Sequence, residues 1–417
     1  MKPKAKILGV ITLQIVILMG ILTNFSVLAN NTPWYRTWGG TEDEYGNAIA
    51  VAPDGSIYCA GNTASSIVPS NDYSLIKYFS NGTKVWERVW GDEDNEELKG
   101  VAVDENGSIY CVGRKNTMPA ILMLFKFFQN GTQIWNLSRT PSNLADSWQD
   151  VLVDANGTIY ITGLTTEFGA VNGDLAVFKY YANLTLAWVV HRDSGGVGDD
   201  CGFDMALDSK GSIYCFGHTW VSGYKFFLVK YYANGAFALA TYWGPLNANH
   251  GYGIGLGLDG CIYCAGESAE GAMRDLVLTK FLPNGFQSWS IPWGDSGVHE
   301  SALGLAIDSS GNILCAGYKG SDIVLVKINP NETVLWNTTW GGGGSDFAED
   351  VAIDSEGSIY CVGETLSWGA GKNDLLVVKF SATGQGPSTD SGIPGFALLF
   401  TIISISAVSL YLKKRKI

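Results

Sequence analysis

The chain has 417 residues and a formal charge of −13, with 40 acidic against 27 basic side chains. An acidic surface of this kind repels phosphate backbones, which argues against nucleic acid as a partner and serves solubility. Setting aside three lysines near the start and four cations at the end lowers the charge to −20 for the part between.

Lys2, Lys4 and Lys6 precede an apolar run over residues 7–22, and Val27-Leu28-Ala29 offers small residues for cleavage. Residues 1–29 therefore read as a secretory signal peptide, with an uncleaved anchor as the alternative.

Residues 30–384 hold one segment of about fifty residues written seven times. Its anchor is Ile-Tyr-Cys-x-Gly or a near variant, ending at Gly61, Gly113, Gly163, Gly217, Gly266, Gly317 and Gly363. A lysine returns with it at Lys77, Lys126, Lys179, Lys230, Lys280, Lys327 and Lys379. Tryptophan follows at Trp34, Trp86, Trp135, Trp188, Trp289 and Trp336, with Leu239 standing in once. In the second unit the pattern predicts strands over residues 100–104, 108–112, 120–128 and 132–139, separated by Asn-Gly turns that accept positive φ. Runs such as Ile121-Leu122-Met123-Leu124-Phe125 are apolar on both faces, as expected of sheets packed between sheets.

The expected fold is all-β, a seven-bladed β-propeller of four-stranded antiparallel blades. After Lys379 the last unit lacks a Trp-bearing fourth strand, and Trp34-Tyr35-Arg36-Thr37-Trp38 matches Trp336-Asn337-Thr338-Thr339-Trp340. The N-terminal strand should therefore close the last blade and hide the edges of an open array.

Stretches such as residues 43–51 and 351–360 carry a resemblance to the SBBP family of β-propeller repeats, over about residues 34–384. The resemblance implies a propeller and no particular reaction. The chain departs from the family in placing cysteine after the tyrosine, and its fifth unit, at residues 257–261, is degenerate.

Residues 385–392 form a polar linker, residues 393–412 an apolar run long enough for a transmembrane helix, and residues 413–417 a basic tail expected to stay cytoplasmic. The entry Ile393-Pro394-Gly395-Phe396 resembles the PGF-type C-terminal sorting signals of archaeal surface proteins, which implies replacement of the helix by a lipid as an alternative to a plain anchor. Either way the propeller is expected to be extracellular, monomeric and anchored to the cell membrane.

Cys59, Cys111, Cys215, Cys264, Cys315 and Cys361 occupy one position in different blades. Packed sheets lie roughly 10 Å apart, beyond bridging distance, so these read as small buried hydrophobes. Cys261 and Cys264 have redox spacing on a strand that holds them apart, and Cys201 with Cys215 remains the one conceivable pair.

Alternating strands place the Asn-Gly and Asp-x-x-Gly turns on one uniform face and the variable loops on the other, where binding usually resides. That variable face carries repeated acids, among them Asp43, Asp94, Asp200, Asp295, Asp346 and Asp350. Carboxylate clusters there suggest calcium, which takes roughly six to eight oxygen ligands, although no loop holds a complete motif. Trp148, Trp220 and Trp368 suggest stacking on sugar rings, and His250 and His299 fall on the same side.

No nucleophile elbow, phosphate loop or dinucleotide fingerprint occurs. On the uniform face, Asn81, Asn106, Asn130, Asn156, Asn183 and Asn331 head glycosylation sequons that are also good turn sequences. The expected function is a surface module that binds a protein or glycan without chemistry; an extracellular carbohydrate lyase or hydrolase and a structural envelope component are the alternatives.

Overall fold

A computed structural model describes residues 32–389 except 65–69, 142–145, 168–172, 196–197, 222, 245–248 and 270–272. The segments expected to be signal peptide, membrane or sorting helix and basic tail lie outside the described residues. Among the described residues, twenty-eight strands form seven four-stranded antiparallel sheets. Six are consecutive runs of four strands, the first from Glu44–Val51 to Lys84–Trp90. The seventh joins Asp346–Ile353, Ile359–Thr365 and Asp374–Phe380 to the N-terminal strand Trp34–Trp38, with Trp34 opposite Lys379 and Trp38 opposite Leu375. The expected ring closure is thus present. Sheet faces pack against their neighbours through apolar clusters that bridge successive blades, such as Leu75 and Tyr73 with Leu98 and Phe125.

The second unit differs from expectation at its start. Its inner strand is Glu96–Val103, beginning four residues before the predicted Gly100. The polar stretch Glu96-Glu97-Leu98-Lys99 looks like loop in sequence, yet the backbone stays paired to Lys115, Arg114 and Gly113. An irregularity in that pairing, described below, permits it.

The recurrent tyrosine, lysine and tryptophan are one cross-strand ladder. Tyr58 lies opposite Lys77 and Lys77 opposite Trp86. The ammonium sits 5.1 Å from the Tyr58 ring centroid, and the arrangement repeats at 4.6 Å for Lys126 over Tyr110 and 4.4 Å for Lys230 over Tyr214. A cation over a desolvated ring gains roughly 1–2 kcal/mol, which offsets part of the cost of burying the lysine. The ladder also clasps the next blade: Lys77 Nζ and Trp86 Nε1 both donate to the Gln129 carbonyl, at 3.4 and 3.0 Å. Trp86 covers the turn glycine Gly131, whose φ is +80°.

A second device holds the opposite end of each blade. The first residue of the inner-strand segment is Glu44, Glu96, Asp146, Asp200, Asn249, Glu300 or Asp346, all buried. Nineteen residues later stands Thr63, Lys115, Thr165, Thr219, Ser268, Lys319 or Thr365. Thr63 donates to Glu44 at 3.0 Å, Thr165 to Asp146 at 2.8 Å and Ser268 to Asn249 at 2.6 Å. The same carboxylates accept loop amides, as Asp346 does from Gly342 N at 2.8 Å. Burying a carboxylate is tolerated where its oxygens are satisfied in this way, and Glu96 and Glu300 each keep one oxygen without a partner among the described residues.

All eight cysteines are free and buried. Cys201 faces His218 across the ladder and Cys215 faces Met205, an offset of three residues or roughly 10 Å along the strand.

Candidate functional site at the channel mouth

Every inner strand carries a β-bulge at the same place. In blade 1, Gly46 pairs with Gly61 and Ala48 with Ala60, so Asn47 has no residue opposite it. The same jump skips Lys99, Gln149, Phe203, Tyr252, Leu303 and Glu349. A bulge re-aims the extra side chain, and here all seven side chains line one central cavity of about 200 Å³. The glycine that ends each sequence anchor exists for this bulge. A Cβ on Gly61 would overlap the Tyr45 carbonyl oxygen, and the equivalent overlap occurs at Gly113, Gly163, Gly217, Gly266, Gly317 and Gly363.

The bulge position holds seven different residue types, whereas the tyrosine, lysine and tryptophan of the ladder and the anchor glycine are nearly constant. The repeats serve as their own alignment: what the fold needs is repeated, and what converges on the axis is not. Going round the ring, Phe203, Tyr252 and Leu303 of blades 4 to 6 form an apolar arc, and Glu349, Asn47, Lys99 and Gln149 of blades 7 and 1 to 3 a polar one.

The next residue of each inner strand manages the blade junction. Asp350 accepts Ile49 N of blade 1 at 2.9 Å, Asp150 accepts Met205 N of blade 4 at 3.3 Å, and Asp204 accepts Ile254 N of blade 5 at 2.8 Å. In blades 2, 5 and 6 glycine replaces the strap, and Ala48 stands there in blade 1: a Cβ on Gly304 would come within 2.9 Å of Asp350 Cα, and one on Gly100 within 3.0 Å of Asp150 Cα. The three aspartates touch the channel solvent but are otherwise enclosed by protein. Burial pushes Asp350 up to about 7 and Asp150 up to about 6. Burial, with Asp150 beside it, raises Asp204 well above the usual carboxylate range.

Above the apolar arc sits an aromatic and ionic crown. His218 and His250 lie 4.9 Å apart between ring centroids, Tyr224 is 5.0 and 4.8 Å from them, and Phe203 is 5.1 Å from His218. Glu267 accepts from His250 at 2.9 Å and from Arg274. Burial raises the Glu267 carboxyl, but the His250 bond and the Arg274 charge outweigh it and hold the group below its ordinary value. Burial, with the charge of His250, drives His218 down to about 3, so its ring is neutral at physiological pH. Its Nδ1 is buried without a hydrogen-bond partner among the described residues.

No family model matches the chain, and no curated protein matches it in sequence. The structure is similar to the Neurospora crassa Pan2 WD40 domain, at TM-score 0.53 and 9% identity over 84% of this chain and 96% of that one. It is also similar to Chaetomium thermophilum Sqt1, at TM-score 0.52 and 11% identity over 83% of this chain and 97% of that one. At these identities the likeness shows the fold alone.

The sequence-derived candidates fall into separate places. Asp350 lines the channel and His250 belongs to the crown. Asp200 and Asp346 are buried clamps at strand starts. Trp148 is fully buried against Phe178 at 5.7 Å. Trp220 packs on Tyr224 at 4.7 Å, and Trp368 on Trp340 and Tyr35 at 4.5 and 5.2 Å. Asp94 and Asp295 pair with Lys115 and Lys319 in different blades, at 2.9 and 2.5 Å. Asp43 accepts Asn373 N at 3.2 Å, and His299 accepts Arg274 N at 3.3 Å. Among the described residues no group of three or more His, Cys, Asp or Glu could hold a metal ion. The sequence places Tyr252 and Glu349 on the variable face, but the bulge that aims them and their five counterparts inward was not expected. The signal that points to them is a column with seven residue types when the seven repeats are set against each other, beside columns that vary nearly as much, and only the strand register singles it out.

The six sequon asparagines are exposed on the uniform face. In three of them the side-chain oxygen accepts an amide two residues on: Asn81 from Thr83 N, Asn130 from Thr132 N and Asn183 from Thr185 N, at 2.9, 2.9 and 3.0 Å. Two more sequons, at Asn136 and Asn337, stand exposed on outer strands.

Proposed function

We propose that this protein is a cell-surface binding module whose partner, a protein or glycan, is recognised at the mouth of the central channel without chemistry. The observation that carries the reading is the bulge ring: seven positions made equivalent by the fold, all directed into one cavity, and each occupied by a different residue. The straps Asp150, Asp204 and Asp350 already accept backbone amides, which fits them for holding blades together.

The proposal includes what the sequence implies at the ends: export through the N-terminal signal, an SBBP-type propeller outside the cell, and retention through the C-terminal apolar segment or its lipid replacement. Glycans on the exposed turns would leave the mouth face as the free surface.

Capture of solubilised envelope material by the purified protein tests the reading. Tyr252→Ala and Leu303→Glu should each reduce retention of a specific partner at least tenfold, whereas Asn130→Asp on the opposite face should not. Calcium chelation should leave capture intact, because Asp200 and Asp346 are satisfied internally. Equal capture by wild type and both mouth variants would defeat the proposal.

A further inference from the structure

Blade 7 presents an unresolved electrostatic conflict at the mouth. Glu349, on its bulge, is deeply enclosed in the channel wall, and no hydrogen bond or ion pair among the described residues involves its carboxylate. Glu364, on the neighbouring strand opposite Phe347, is half-buried and equally without a partner. The two carboxylates repel each other, and Asp43 adds to the repulsion at Glu364. Asp350 lies next to Glu349 along the chain and feels its charge. Lys99 is the cation that acts on Glu349, and its ammonium is already paired with Glu97 at 2.5 Å. Tyr252 and Tyr318 face the same space and supply no charge at neutral pH. Farther round the wall, Asp150 and Asp204 add acid and no base. Other buried carboxylates among the described residues have at least one oxygen matched by a hydroxyl, amide or lysine, although Glu96 and Glu300 each keep one oxygen without a partner, so a pair with no partner at all, one member of which lines the cavity, is an exception. Beside the pair begins the apolar arc, with Leu303 on the adjacent blade and Tyr252 and Phe203 beyond it.

We propose that this corner of the mouth receives an organic cation, an ammonium or guanidinium group on an apolar stem, with the charge between Glu349 and Glu364 and the stem against Leu303, Tyr252 and Phe203. The inference deepens the binding reading above by naming the chemical class its ligand presents. An organic cation suits the geometry better than a metal ion, since two carboxylates with an apolar wall offer too few hard oxygen ligands. A desolvated carboxylate pair supplies charge-assisted hydrogen bonds, and the aromatic wall favours a cation further.

Binding must be linked to protons. Burial raises Glu349, and burial together with Glu349 and Asp43 pushes Glu364 up to about 7. In the free protein Glu364 therefore holds a proton for part of the time near neutrality, and an incoming cation expels it. Affinity should rise with pH between 6 and 8.

The test is titration calorimetry on the purified full-length chain with pentylamine, and with pentanol and pentanoate as neutral and anionic controls. Pentylamine should bind at least tenfold more tightly than pentanol and release protons, read as a dependence of the heat on the buffer's ionisation enthalpy; pentanoate should not bind. Glu349→Gln and Glu364→Gln should each weaken pentylamine at least tenfold and reduce the proton release, and both should keep the fold because they remove a repulsion. Equal affinity for pentylamine and pentanol, or binding unchanged in both variants, would overturn the inference. If envelope capture were still lost in Tyr252→Ala while pentylamine failed to bind, the module reading would stand and the cation assignment alone would fall.

Discussion

At the scale of single residues, the same glycine that looks like a turn marker in sequence is the condition for the site. Gly363 sits where a Cβ would overlap the Phe347 carbonyl oxygen, so alanine there must push the inner strand away and disturb the bulge that aims Glu349. Gly363→Ala should cost about 1–3 kcal/mol, as overpacking does. Gly343, with nothing within 4 Å and no positive φ, is the matched control, and its alanine variant should be neutral within roughly 0.5 kcal/mol. Denaturant midpoints of the two variants against wild type check both numbers. Losing a clamp should cost comparably: Asp346→Ala leaves Gly342 N and the hydroxyls of Thr365 and Ser367 without their acceptor, a loss of about 2–3 kcal/mol in the same measurement.

At the scale of elements, the ring depends on a strand of five residues. Trp34 is buried between Tyr78 and Tyr360, 6.3 and 6.1 Å away, and its indole donates to the Ser80 carbonyl of blade 1 at 3.0 Å. Trp34→Ala should therefore destabilise by about 3–5 kcal/mol, in the range of buried aromatic truncations. Removing residues up to 40 should do more, exposing the edge of Asp374–Phe380 and producing concentration-dependent association in size-exclusion chromatography with light scattering. A truncated chain that stays monomeric with an unchanged melting temperature would contradict the closure. This element was legible in sequence because Trp34 to Trp38 copies the fourth-strand pattern in a place where one fourth strand is missing. The bulges were not legible, because residues such as Glu97 and Lys99 break hydrophobic alternation and look like loop until the pairing is seen to skip one residue. The clamps were half legible: the acids of the variable face were noticed, but their partners stand nineteen residues away, and only strand register shows that Glu44 meets Thr63. Surface acidity and buried acidity have the same letters.

At the scale of the whole molecule, enclosed carboxylates in and beside the channel and at the Glu96 clamp make stability depend on pH in an unusual direction. Burial pushes Asp350, Glu364 and Glu96 up to about 7 and Asp150 up to about 6, and with Asp150 beside it raises Asp204 well above the usual carboxylate range. Unfolded, all five titrate near 4. Between about pH 4 and 7 the folded state therefore holds more protons than the unfolded one, and stability falls as pH rises through that window. His218 opposes this trend, since its depressed value withdraws stability as pH falls below about 6.5, but it is one group against five. Below about pH 4 the turn carboxylates Asp208 and Asp308 turn the curve over: burial raises them, but accepted hydrogen bonds and lysine charges outweigh it and hold them below their ordinary value. Thermal melts should accordingly show a higher melting temperature at pH 5 than at pH 8, with each kcal/mol moving it by roughly 2 °C in a domain of this size. Glu364→Gln removes one of the repelled charges without breaking any hydrogen bond, so it should raise the melting temperature at pH 8 and leave pH 5 nearly unchanged. A melting temperature that climbs steadily from pH 5 to 8 would mean that the channel carboxylates are ionised at little cost, and that the acidic mouth holds no stored demand for a cation.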